Sequence, residues 1–240
     1  MVLRHLKRKV EEASRKTSVK EKIPQSMVAF CLYTLYRHNQ IDGPFDFLPY
    51  SHLPIETTVE ILISCAKAII ERGDWRLMLS LNERLRYHEE IPFGVKTQIM
   101  GYSFGLMLEK SAEYSPWLFL EQDIELLKSG GRIKALRFLK ALDGVRASQH
   151  IPSILLYLKE RNLLEADVLL DALTASCQAS ASSVLKDFVL ACSKDSDLRK
   201  LLQERSSMVI HRIRDNLGAN DTDDSKEIDR ILRHDIGIPC

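Results

Sequence analysis

Apolar residues recur at steps of three and four along nearly the whole chain, and this period constrains the fold more than any other feature. Leu3, Leu6, Val10 and Ala13 form the first stripe, and Val28, Leu32 and Leu35 the second. Val59, Leu62, Ile63, Ala66, Ile69 and Ile70 follow, stopped by Gly73. Asp74 stands where an N-cap belongs, ahead of Trp75, Met78, Leu79 and Leu85. Val95, Ile99, Tyr102 and Leu106 make another stripe, and Met100, Phe104 and Met107 cover its opposite side. A helix apolar all round belongs in the middle of a core. Trp117, Leu120, Ile124 and Leu127 predict one helix closed by Gly130-Gly131, and Ile133 to Leu142 the next, ended by Gly144. Ile154 to Leu158, Leu163 to Cys177 and Val184 to Ala191 continue the pattern. Leu198, Leu202, Val209, Ile213 and Leu217 predict one longer helix capped by Gly218, and Ile228 to Leu232 a last short one, after which Ile236 to Cys240 is expected to trail away.

Alternation at period two is absent over any useful length. Ten glycines and eight prolines in 240 residues fall well below the roughly 12% of average usage, too few turn-formers for an all-β chain. The expectation is an all-α fold of about eleven or twelve short helices with connections of a few residues. An aliphatic residue directly before proline opens four of these helices, at Ile23-Pro24, Leu53-Pro54, Ile91-Pro92 and Ile151-Pro152. Proline is tolerated in the first turn, where its missing N–H had no partner, and the aliphatic residue can pack back on the helix. Their spacing of 30 to 38 residues, with a longer interval divided by Ser115-Pro116, suits a helical-hairpin repeat, an α-solenoid-like array. An irregular globular bundle is the alternative. Three segments result: a basic amphipathic helix and linker over 1–22, a repeat-like domain over 23–218, and an acidic loop with a short C-terminal helix and tail over 219–240.

Lys and Arg number 34 and Asp and Glu 33, which excludes a chain basic throughout but not a local basic patch. Such a patch lies at the start. Arg4, Lys7, Arg8, Lys9, Arg15, Lys16, Lys20 and Lys22 face only three glutamates within 22 residues, and this amphipathic stretch suits phosphates or an acidic partner. A second basic set, Arg205, His211, Arg212 and Arg214, is explained by the negative end of a helix dipole.

Gly101-Tyr102-Ser103-Phe104-Gly105 reads literally as G-x-S-x-G. In a serine hydrolase such a serine sits on a strained strand-to-helix turn, followed by an acid and a histidine. Asp143 or Asp171 with His211 or His234 would supply the order. The apolar stripe runs through the motif unbroken, so Gly101 and Gly105 also read as small residues admitting a neighbouring helix. The seven histidines show no HxxxH or HExxH, the five cysteines have neither CxxC nor zinc spacing, and no phosphate-cradling glycine loop occurs. No metal and no cofactor is expected. Cys31, Cys65, Cys177, Cys192 and Cys240 are expected as free, mostly buried thiols in a reducing compartment. Trp75 and Trp117 are expected in the core. The first residues lack the apolar run of a secretory signal.

The expected function is therefore a non-catalytic scaffold or adaptor, nuclear or cytoplasmic, whose helical-repeat surface binds a protein partner. A second reading is an RNA- or DNA-binding repeat protein that uses the basic first helix. The third is the hydrolase, with Ser103 as nucleophile.

Overall fold

The structure is a computed structural model that describes residues 55–112, 114–181, 183–217 and 223–238. The fold is all-α: 79% of the described residues are helical, in eleven α-helices. Those residues fall into two compact units that divide between Pro116 and Trp117.

The first unit contains α1 (Ile55–Arg72), α2 (Trp75–Arg86) and α3 (Phe93–Lys110). Each of the three packs against the other two. Leu62, Cys65, Ala66 and Ile69 bury one face of α1, and Met78, Leu81 and Leu85 one face of α2. Gly73 turns the chain between these helices with φ at +65°, a region that costs a side chain dearly. Asp74 then caps α2, its carboxylate accepting the Leu77 N–H at 3.0 Å. Pro92 precedes α3, and its carbonyl accepts from Val95 and Lys96 while Ile91 before it is buried. All residues from Ile99 to Met107 are buried, as the two-sided apolar pattern predicts for a central helix.

The second unit starts with α4 (Pro116–Asp123), which tightens into a 3-10 turn over Ile124–Leu127. The helix predicted through Leu127 thus ends four residues early. A minimal hairpin follows, where Lys128–Ser129 pairs antiparallel with Arg132–Ile133 around Gly130-Gly131. Then come α5 (Leu136–Gly144), α6 (Ile151–Glu160), α7 (Ala166–Cys177), α8 (Ser183–Lys194), α9 (Ser196–Glu204), α10 (Ser206–Leu217) and α11 (Asp223–Arg230). The chain continues from α11 into a π-helical turn, Ile231–Ile236.

α7 is the hub of this unit. It packs against α5, α6, α8, α9 and α10, and Val168, Leu169, Ala172 and Leu173 are almost wholly buried. Two expectations are corrected here. The helix predicted from Leu198 to Leu217 is two helices broken at Arg205, whose φ of −113° and ψ of 22° leave the helical region. The reason is visible in the stripe, which lapses over Arg205, Ser206 and Ser207. The end of the described chain also does not trail away. Gly237 adopts φ +85°, the Ile238 N–H returns to the Leu232 carbonyl at 2.8 Å, and Ile236 and Ile238 are buried.

Candidate interaction surface

Within the second unit, α4 and α6 bring an aromatic and charged set together. Pro152 occupies the first turn of α6, and Ile151, Ile154, Leu155 and Leu158 seat that helix in the core. Tyr157 is buried as well, and Arg161, four residues on, is exposed and covers its ring. On α4, Phe119 and Leu120 are buried, which sets Trp117 and Glu121, again four apart, alongside. The Trp117 and Tyr157 rings lie 5.1 Å apart at 31°, and the Tyr157 hydroxyl donates to the Trp117 carbonyl at 3.4 Å. The Arg161 guanidinium carbon stands 3.9 Å from the Tyr157 ring centre, and Arg161 also pairs with Glu121 at 3.2 Å. A cation over an aromatic face contributes about 0.5–1 kcal/mol at an exposed site. Burial raises the Tyr157 phenol above its ordinary value, and the Arg161 charge opposes that shift. On the same two helices Leu118 is 51% exposed and Leu156 39%.

Trp117 is half-buried, and so is Trp75, which packs on Tyr114 at 5.9 Å with the Arg76 guanidinium 5.3 Å from its ring. The expectation of two core tryptophans is therefore corrected. Each lies at a helix start and shares its ring with another aromatic side chain. The pairs at i, i+4 were present in the sequence as Trp117–Glu121 and Tyr157–Arg161, but nothing in the sequence says that two helices 40 residues apart would join them.

Ser103 lies in the middle of α3, fully buried. Its Oγ donates toward the Met78 carbonyl of α2 at 3.1 Å and the Ile99 carbonyl one turn back at 3.0 Å. The segment from Lys96 to Met100 is helix, so the strand-to-helix turn of a nucleophile elbow is not what carries this serine. The two acids that such a site would enlist hold other groups. Asp143 accepts from the Ser148 hydroxyl at 3.2 Å and from the N–H and hydroxyl of Ser180 at 2.9 and 2.6 Å. Asp171 accepts the Leu136 N–H at 3.1 Å. His211 is exposed and lies 3.2 Å from Asp215. Burial pushes the thiols of Cys65 and Cys192 far above their ordinary range and that of Cys177 up to about 12, so all three stay protonated.

The basic set at the start, Arg4, Lys7, Arg8, Lys9, Arg15, Lys16, Lys20 and Lys22, lies outside the described residues, as do Cys31 and Cys240. The second basic set is divided by the structure. Arg205 and Arg214 are exposed. Arg212 turns inward, donating to the Leu170 carbonyl at 2.8 Å and to Thr174 Oγ1 on α7. Its charge therefore serves a neighbouring helix and not the end of its own. Among the described residues no three or more His, Cys, Asp or Glu side chains gather as a metal site would require, and no helix is long and apolar enough to cross a membrane. No protein-family model, curated protein or solved structure matches the chain.

Proposed function

We propose that the chain is a non-catalytic scaffold or adaptor that binds another protein within a macromolecular complex. The observation that carries this reading is the Trp117–Tyr157–Arg161 set with the exposed Leu118 and Leu156 beside it. Trp, Tyr and Arg are the residues in which the binding energy of protein interfaces concentrates. Here the buried Tyr157 ring fixes the half-buried Trp117 and the exposed Arg161 from beneath, so a partner would meet Arg161, the Trp117 edge, Leu118 and Leu156 preorganised and lose little of its affinity to ordering them. The helical-hairpin array belongs to the same proposal. Free, buried Cys65 and Cys192 suit a reducing compartment, nuclear or cytoplasmic.

The test compares proteins captured by the wild-type chain with those captured by a Leu118→Asp, Arg161→Glu variant, identified by mass spectrometry and then measured one by one. A partner contacting this surface should bind the variant at least roughly 30-fold more weakly, the loss that about 2 kcal/mol at a hot spot produces. Undiminished binding of every partner by a variant with an unchanged melting temperature would sink the reading.

The eight cations within residues 1–22 favour a second reading, binding to RNA or DNA. Affinity for an oligonucleotide that falls steeply with salt, and that disappears when Lys7, Arg8 and Lys9 become glutamate, would establish it in place of the first.

A further inference from the structure

The last described segment, Asp223–Ile238, has the anatomy of a helical ligand lying in a groove. α11 packs on α8, and the π-helical turn packs on both α8 and α9. Ile228, Ile231, Leu232, Ile236 and Ile238 are each 2% exposed or less. The first four fall at i, i+3, i+4 and i+8, the spacing by which an amphipathic helix anchors itself in an apolar groove. Gly237 then reverses the chain, which lets Ile238 serve as a fifth anchor.

The polar side chains of the segment largely serve one another. Arg230 pairs with Glu227 at 2.9 Å and with Asp235 at 3.5 Å, and Arg233 with Asp229 at 3.0 Å. Polar ties from the body to the segment include Lys186 of α8, 3.3 Å from Asp224, and Gln203 of α9, whose side-chain amide donates to the Ile236 carbonyl. α11 is eight residues long with Ile228 as its buried side chain. A helix of that length is marginal in isolation and depends on what it docks against. Five residues join it to Leu217, Gly-Ala-Asn-Asp-Thr, and none has a large apolar side chain.

We propose that the surface of α8 and α9 beneath this segment is a docking site for an acidic amphipathic helix of a partner protein, with the chain's own C-terminal segment as its displaceable occupant. The segment itself defines the chemistry of the partner. That helix carries aliphatic anchors at i, i+3 and i+4, and an acid in its first turn that meets Lys186 as Asp224 does. A tethered occupant acts at an effective concentration set by its linker, in the millimolar range for a short one, so it lowers the apparent affinity of an incoming helix until it is released. α6 packs on α8, so the two proposals are kept apart by their readouts: capture of a partner tests the α4–α6 surface, and titration of the peptide tests the surface of α8 and α9.

Two measurements on the full chain test this. In native-state hydrogen exchange, amides of residues 223–238 should exchange through a sub-global opening, at least roughly tenfold faster than those of α7. Second, a fluorescent peptide with the sequence of residues 223–238 is titrated into the wild type and into an Ile231→Asp, Leu232→Asp variant. The variant should keep the slow exchange of α7 and bind the peptide at least roughly tenfold more tightly than the wild type, because its own occupant no longer competes. Equal protection of the segment and α7, or a variant that loses the protection of α7, would show that the segment is an integral part of the core. A folded variant that ignores the peptide would overturn the docking site. A wild type that instead exchanges segments with a second copy, seen as a dimer at micromolar concentration, would overturn the assignment to a different protein.

Discussion

Helices α1, α2 and α3 of the first unit run 18, 12 and 18 residues, whereas the eight helices of the second unit run 8 to 12. That difference in length goes with a difference in what holds them. α3 is secured by its flanks, because every residue from Ile99 to Met107 is buried. Apart from the hub α7, the short helices bury one stripe each, and all of them are near or below the length at which a helix persists alone. They are held by their ends, through side chains sent across from other helices. Ala135 cannot cap α5, so Asp171 of α7 reaches over to accept the Leu136 N–H. Asp195 caps α9 through the Asp197 and Leu198 N–H groups, and Lys159 of α6 braces that carboxylate at 2.7 Å to each oxygen. Asp143 of α5 makes a comparable tie to Ser180 ahead of α8, and Arg212 of α10 ties to the middle of α7 at Leu170. Flank burial makes a long helix sensitive to added volume, and end-capping makes a short helix sensitive to the loss of one polar atom.

The largest expected effect tests the first half of that statement. Gly105 is buried in α3, a helix on which both α1 and α2 pack. Gly105→Leu should lower stability by about 1–3 kcal/mol or more, the cost of forcing volume into a filled core. A denaturant midpoint shift shows it. An unchanged midpoint would mean that α3 is not tightly crossed at this glycine.

Next comes the cap supplied from a distance. Asp171→Ala should cost about 1–2 kcal/mol, the range for losing an N-cap acceptor, although residue 171 lies in the interior of a different helix. Asp171 also carries a pH signature. Burial raises its pKa, and the N–H groups of Leu136 and Ala135 and the Arg212 charge offset part of the rise. A carboxyl whose folded value exceeds its unfolded value favours the fold below the ordinary aspartate range. That contribution is lost as pH rises through the folded value. Asp171→Asn should therefore flatten the fall in stability just above the ordinary aspartate range. A melting-temperature profile from pH 3 to 7 as steep as that of the wild type would remove Asp171 as its source.

What was legible in the sequence follows the same division. The apolar stripes announced α1, α2 and α3, the central burial of α3, the stop at Gly73 and the cap at Asp74, because all of these are set within a few residues of one another. The break at Arg205 was only faintly legible: Leu202 and Val209 keep the rhythm on both sides, and the five polar residues from Gln203 to Ser207 tip the balance. The folding back of Ile236 and Ile238 was not legible, since it depends on a partner surface more than 40 residues away at α8. The α4–α6 surface was half legible. Each i, i+4 pair was there to read, but the meeting of the two helices is a tertiary fact. The helix around Ser103 was legible, because the apolar stripe runs unbroken through the five-residue pattern that a catalytic turn would share.

Asp195 and Lys159 offer a smaller effect that separates cap from brace. Asp195→Ala removes the acceptor at the start of α9 and should cost about 1 kcal/mol. Lys159→Met leaves the cap and removes two partly exposed ion pairs, to Asp195 and Asp197, so its effect at neutral pH should be the smaller of the two. The Lys159 hydrogen bond is the main cause holding the Asp195 carboxyl below its ordinary value, with the Leu198 and Asp197 N–H groups adding to it. A depressed folded value contributes stability above the ordinary aspartate range, and that stability is lost as pH falls through the folded value. Without Lys159 the loss on acidification should be shallower. If Lys159→Met proves costlier than Asp195→Ala in urea unfolding at pH 7, the brace and not the cap holds α9.

Ser103→Ala should have the smallest effect, and it sharpens the comparison by acting on the same helix as Gly105→Leu. The change deletes the contact from Ser103 Oγ to Met78, which links α3 to α2. A neutral hydrogen bond contributes about 0.5–1.5 kcal/mol net. Two circumstances reduce the cost. The Met78 and Ile99 carbonyls both lie inside helices, where backbone N–H groups remain as their partners, so the change strands no buried acceptor. Alanine is also the better helix former, by up to about half a kcal/mol. The net loss should stay below about 1 kcal/mol, with the helical circular dichroism signal unchanged. Gly105→Leu, two residues away, should cost several times more. If α3 is secured by its flanks, added volume damages it and a lost hydroxyl does not. A Ser103→Ala variant less stable than Gly105→Leu would reverse that order, and α3 would then be held to α2 by a polar tie of the kind that secures the short helices.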